Sequence, residues 1–378
     1  MPIITYICRR KGNIYYLKPG KPILKKQDTT ILQYLKRNMK SESAKNILKT
    51  LLSLVLGLLI IWAMYRNSDL GELWDIIETA NFGIIGVSLI FGLIGNILRG
   101  LRWELFVNSL GYHPPRASLI NATLGNYAVN FLLPRAGDFW RCGVVSKYDK
   151  IPFAKTLETF LIDKIVDVIA GLSIIFISII LYIDFFISYL NNNPQFGDNI
   201  VNLLSSEWLY IILGLFVILI LLYLVFLRKN PLMIKVRSFL LTVKHDLKLI
   251  SSMKEKRRII IYTILLWLCF YLYFYICFFS FDFTKELGPL AGLIVFAMTN
   301  IGISVPVQGG IGPWHFMVSS SLVILGVAEN QSLAFAAAVF TIQSVWQILY
   351  GLYGVFAMPF VKREHTSGKV PDTETKII

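Results

Sequence analysis

Residues 131–142 read FLLPRAGDFWRC and residues 301–316 read IGISVPVQGGIGPWHF. Each sets a proline, small residues and a tryptophan inside a stretch that is otherwise apolar. Backbone left unpaired at hydrocarbon depth costs several kcal/mol per group, so an irregular break there belongs inside protein or beside a watery cavity. What surrounds these two breaks decides the architecture.

The 378-residue chain is 55% hydrophobic and 16% charged, with a mean hydropathy of +0.61. Soluble domains carry about 25% charge. Runs such as TLLSLVLGLLIIWAMY (50–65) and LYIILGLFVILILLYLVFL (209–227) approach the roughly 20 apolar residues that a bilayer core demands of a helix. The class is an all-α polytopic membrane protein. Its net charge of +14 is gathered beside hydrophobic segments: residues 1–49 hold twelve Lys/Arg against Asp28 and Glu42, and 228–258 hold ten against Asp246 and Glu255. Such clusters set orientation and meet anionic headgroups, so the partners expected are the bilayer and a membrane lipid with an anionic headgroup, not nucleic acid. Cys8, Cys142, Cys269 and Cys277 have neither metal nor disulfide spacing, and no cofactor is called for. The lead differs in character from the rest. Met39, followed by KSESAKNILK, makes a natural start, and 1–38 then reads as an extension ahead of it.

Eight hydrophobic segments lie at about 47–65, 82–98, 117–133, 157–183, 208–227, 259–280, 289–327 (interrupted) and 332–360. Basic residues place 1–46 in the cytoplasm, whereas loop 66–81 carries four acidic residues against Arg66 and belongs outside. Segment 82–98 returns to Arg99, Arg102 and Arg116. Segment 117–133 leaves from that basic side, yet Arg135, Arg141, Lys147, Lys150 and Lys155 follow it, so it turns back within the membrane. Loop 184–207, with Asp184, Asp198 and Glu207 and no Lys or Arg, is outside. In the second half, 290–304 and 314–325 are 15 and 12 residues long; at 1.5 Å per residue they reach only about 18–23 Å, too short to span. The expectation is two inverted repeats, 47–183 and 208–360, each built as helix, helix, re-entrant hairpin, helix. About six helices would span, with both termini, the loop 228–258 and the tail 361–378 cytoplasmic. Pro134…Trp140 matches Pro306…Trp314, and FLIDKIVDVIAGL (160–172) matches FTIQSVWQILYGL (340–352), setting Asp163 against Gln343 and Asp167 against Gln347. Inverted repeats with broken helices hold substrate near the midplane of many transporters.

The candidate binding residues follow from cost. An ionisable group at the centre of a membrane helix costs about 2.5–3.5 kcal/mol even on a lenient scale, and Asp163, Lys164 and Asp167 lie inside an apolar segment. Asp163 and Asp167 are four apart and share a face; Arg135 and Arg141 are the partners expected. These charges either receive a headgroup or dock hairpin onto helix. Asn126 and Asn130, also four apart, either bond a headgroup or pack helices. Gly309, Gly310 and Gly312 permit tight turns with exposed amides, which suit anions, and His315 follows on the same hairpin. Arg102–Trp103 reads most simply as an anchor at the membrane edge. No HExxH, GxSxG or phosphate loop appears, and no catalytic residue is assigned.

These residues resemble the lysylphosphatidylglycerol synthase transmembrane (flippase-like) family, over roughly 45–360. The resemblance is carried by LRWELFVNSLG (101–111), LGNYAVNFLLPRAGDFWR (124–141), DKIVD (163–167) and PVQGGIGPWHF (306–316). It brings Pro134, Gly137, Asp138 and Gln308 into the candidate site beside the residues above. Asp138 and Asp163–Lys164 stand where the family has Glu and Glu–Arg, Gln308 replaces a proline, and His315 replaces a glutamate. The resemblance implies a lipid translocator of the cytoplasmic membrane without the soluble aminoacyl-transfer domain. In the expected mechanism Arg135, Arg141 and Lys164 neutralise a phosphate, while Asp163 and Asp167 hold those cations or relay protons. An integral-membrane enzyme using a polyprenyl-phosphate sugar donor and a non-transporting envelope-assembly scaffold are the alternatives.

Overall fold

A computed structural model describes residues 8–10, 13–15, 54–66, 68–133, 136–183, 255–305 and 307–363. The expected crossing at 208–227, the loop 184–207, nearly all of the basic loop 228–258 and the tail past 363 lie outside the described residues. The chain divides into two units, Met1–Leu52 and Ser53–Ile378. In the first, β1 (Cys8–Arg10) pairs antiparallel with β2 (Asn13–Tyr15). Every described element of the second is helical.

Local chemistry sets the helix starts of the second unit. After α1 (Leu54–Tyr65), the Asp69 carboxylate accepts from Gly71 N at 2.8 Å and opens α2 (Leu70–Glu78). Asn81 accepts from Gly83 N and Ile84 N and opens α3 (Phe82–Ser109). Such caps satisfy amides that no helical carbonyl can reach. Pro115 and Pro152 precede α4 (Arg116–Leu132) and α6 (Phe153–Leu181), with α5 (Ala136–Asp149) between them. α7 (Lys256–Tyr275) tightens into a 3₁₀ turn at Ile276–Ser280. α8 (Pro289–Ser304) and α9 (Pro313–Ile324) both begin on proline, where the missing N–H would have been unpaired anyway. α10 (Glu329–Ala357) completes the unit.

α3, α6, α7 with its 3₁₀ extension, and α10 are long and apolar enough to cross a membrane. The chain is a multi-pass membrane protein. α4 packs on α5, and α8 on α9, so each quoted break joins a pair of short helices. In the second break Gly309, Gly310 and Gly312 have φ of 61°, 78° and 91°, a region costly for a residue with a Cβ.

Exchanging α3 with α7, α4 with α8, α5 with α9 and α6 with α10 maps the packing onto itself. α3–α4 becomes α7–α8, α5–α6 becomes α9–α10, α4–α10 becomes α8–α6, and α6–α7 becomes α10–α3, while α3–α7 is its own image. The α3–α6 contact finds its counterpart in the bonds between Tyr273 of α7 and Gln343 of α10. The packing of α4 on α10 is backbone to backbone: a Cβ on Gly351 would lie 2.7 Å from Ala128 N, and one on Gly354 2.5 Å from Asn121 O. Small residues allow this approach where no hydrophobic drive holds helices together in lipid. One core, around Trp103, Phe106, Val145 and Ile162, lies under the first hairpin. A more aromatic one, around Phe274, Phe278, Trp314 and Phe335, lies under the second.

Candidate functional site

The first hairpin meets α3 and α6 at a buried charge cluster. Asp163 and Asp167 present one face of α6 to α3, whose Arg99 and Arg102 are three residues apart and therefore neighbours on its surface. Arg102 reaches both carboxylates: Nε donates to Asp163 Oδ1 at 2.8 Å, Nη2 to Asp167 Oδ1 at 2.6 Å, and Nη1 to Thr263 Oγ1 of α7 at 3.1 Å. Arg99 bridges Asp167 Oδ2 at 3.2 Å and donates to the Tyr127 hydroxyl of α4 at 2.6 Å. Arg141 comes from α5 and donates to Asp163 Oδ2 at 3.2 Å. Its guanidinium lies 4.2 Å over the Trp103 ring and 4.8 Å from that of Phe160, where aromatic faces favour a cation. Arg102 has no exposed surface, and Arg141 and Asp163 have almost none.

Three guanidiniums thus face two carboxylates, and Arg99 Nε and Arg141 Nε are buried with no hydrogen-bond partner. The hydrogen-bonded cluster carries one positive charge in excess. Arg102 and Asp163 lie wholly inside it, whereas Arg99 and Asp167 keep 18% and 15% of their side-chain surface exposed.

Arg102 corrects the sequence reading. It is not an anchor at the membrane edge; it is the hub of the cluster. The apolar signal of this segment fades near residue 98, but α3 runs on to Ser109, and protein rather than lipid covers its last three turns. The signal that finds Arg99 and Arg102 is their spacing of three, which puts both on one face of α3 as the spacing of four puts Asp163 and Asp167 on one face of α6. Tyr127 and Thr263 leave no such mark.

Of the other candidates, Lys164 is exposed on α6, its charge acting on Asp167. Asp138 is half-buried in the first turn of α5. Pro134, Arg135 and the side chain of Gln308 lie outside the described residues. Asn126, Asn130 and Gly137 form a second group that ties α4 to α5: Asn130 Nδ2 donates to Asn126 Oδ1 at 3.2 Å, and Gly137 N donates to Asn130 Oδ1 at 2.8 Å. Their bonds are those of helix packing.

In the second hairpin, Gly309 lies against Phe131 of α4, and Gly312 against Gly57 and Ile60 of α1, so the two breaks approach one another. His315 is buried against Phe340 with ring centroids 4.4 Å apart. Gln343 Nε2 donates to Tyr273 O at 2.9 Å, and Tyr273 OH donates to Gln343 O at 3.2 Å. Away from the membrane core, burial raises the Asp149 carboxyl above its ordinary range, while bonds from Ser118 and Arg363 draw it back. Arg363 Nε donates to Asp149 Oδ1 at 3.0 Å, joining the end of the first hairpin to the segment after α10.

A model of the family described as Lysylphosphatidylglycerol synthase TM region matches residues 50–351. No curated protein and no solved structure matches the chain.

Proposed function

The chain belongs to the lysylphosphatidylglycerol synthase TM-region family, and from that premise we propose that it is a flippase or transporter of the cytoplasmic membrane that moves a phosphate-bearing lipid. The observation that carries this reading is the cluster of Arg99, Arg102 and Arg141 around Asp163 and Asp167, with its one unbalanced positive charge. A buried excess cation is expensive, and an anionic headgroup relieves it. Arginine is suited to the task because its planar fork matches phosphate oxygens.

The two hairpins are re-entrant, and the two halves are inverted copies with both termini cytoplasmic. The self-mapping packing supports the repeat, and the short arms of α8 and α9, 16 and 12 residues, support the turn within the membrane. Arg102 is fully enclosed, whereas Arg99 and Asp167 keep 18% and 15% of their side-chain surface exposed, so a headgroup meets Arg99 first and gains Arg102 only when the first hairpin or α6 shifts. The lipid then replaces a carboxylate at one guanidinium while its tails remain in the bilayer.

Reconstitution into vesicles holding a fluorescent-headgroup phospholipid tests this. Headgroup movement across the bilayer, with the lipid chemically unchanged, is the expected result. A covalently modified lipid would instead assign an enzyme, and neither outcome would leave an assembly scaffold.

A further inference from the structure

The two halves carry different chemistry at one equivalent position. Aligning α5 with α9 at an offset of 174 residues sets Trp314 on Trp140 and His315 on Arg141. Aligning α6 with α10 at an offset of 180 sets Phe340 on Phe160 and Gln343 on Asp163. The geometry repeats the correspondence independently of the alignment. Arg141 lies on Phe160, and His315 lies on Phe340. In the first half the cation is permanent and faces an acid. In the second half the base is titratable, the facing position is a neutral amide, and the imidazole Nδ1 is buried with no hydrogen-bond partner.

We infer that His315 is a second headgroup station: once protonated it becomes the counterpart of Arg141 and receives the same anionic phosphate group, and once neutral it releases it. The inference rests on the lipid-translocation reading and adds to it a proton, taken from and returned to the water on the side to which the second hairpin opens.

The surroundings leave the imidazolium no other counter-ion among the described residues. α8 has no titratable side chain, and α9 has none besides His315. α10 carries Glu329 at its first residue, three turns before Phe340, and Tyr350 and Tyr353 beyond Gln343. α7 faces Trp314 with Phe274; its Tyr273 and the following Cys277 are engaged with Gln343. α1 carries only Tyr65. An imidazole changes charge near neutral pH, and a buried cation without a partner is costly. Proton and phosphate therefore favour each other's binding reciprocally. The first half binds the anion at any pH, the second only with a proton.

The test uses the full chain in detergent, with a short-chain phosphatidylglycerol as probe. Affinity is measured at about pH 5.5 and pH 7.5, either side of the imidazole's ordinary range. For the wild type, binding about tenfold tighter at the lower pH is expected, one unit of linked protonation. His315→Gln should be pH-flat and weak, and His315→Arg pH-flat and tight. The wild-type profile needs no variant to fold. If it is flat although the lipid binds, the His315 proposal is overturned and the lipid reading stands. Retention of the pH response in His315→Gln overturns it equally. If monodisperse wild-type protein binds the lipid at neither pH, the lipid reading fails and takes this proposal with it.

Discussion

Arg102 bears the largest share of the cluster, because it alone touches both carboxylates. Removing one member of a buried pair leaves the other charged and unpaired, at a cost of about 3–5 kcal/mol. Arg102→Gln should therefore sharply lower the yield and melting temperature of the purified protein. Arg116→Gln, which breaks an exposed pair with Glu104, should cost no more than about 1 kcal/mol. Equal melting temperatures would show that the cluster is hydrated. A conservative exchange separates clamp from receptor. Arg141 pairs with Asp163, which Arg102 also holds, so Arg141→Lys keeps a cation beside the carboxylate but loses the planar fork that matches phosphate oxygens. Retained stability with weakened headgroup transport is the expected outcome, and unchanged transport would make the pair a clamp only. At this scale the sequence was half legible. Two acids four apart in an apolar helix announce themselves by cost, whereas Arg102 follows the apparent end of its segment, where a cation looks ordinary.

Helices here are held by close approach as much as by charge, and glycines mark where. A Cβ on Gly137 would overlap the Asn126 carbonyl oxygen, and backbone cannot yield as a flexible side chain can. Gly137→Ala should force α4 and α5 apart and cost about 1–3 kcal/mol or more. Gly143, six residues along the same helix, has nothing within 4 Å of its missing Cβ. There an alanine should be neutral or stabilise by up to about 1 kcal/mol, through helix propensity. Thermal unfolding of the two variants side by side checks both signs, and matching losses would show that close approach does not hold α4 to α5. The arms of the second hairpin were legible as short elements: the segments of 15 and 12 residues are helices of 16 and 12. The first hairpin's return arm was not. α5 is mixed in composition because it packs on α4 and α6 rather than on lipid, so no apolar run betrays it.

The whole molecule reads as a repeat because each half completes its packing on the other. α4 lies against α10 as α8 lies against α6, which two independent domains would not do. Sequence identity between the halves is thin, since the arrangement constrains size and backbone approach more than residue type; only the breaks and the α6/α10 face keep recognisable letters. In the proposed topology a helix, a second helix, a hairpin that turns back and a final helix cross three times per half, so the next copy would start from the opposite face. α6, which starts just after Lys150, and α10, which starts at Glu329, would then begin on opposite sides of the membrane. Single cysteines replacing Lys150 and Glu329, probed with an impermeant maleimide in intact and opened cells, measure this directly. Native Cys142 and Cys277 have no exposed surface and should add little background, while the partly exposed Cys269 and Cys8 are first replaced by serine. Labelling from opposite faces is expected, with Lys150 reached only after opening. Labelling of both from one face would mean that a hairpin crosses completely, that the copies run parallel, and that Arg141 and His315 serve the same side.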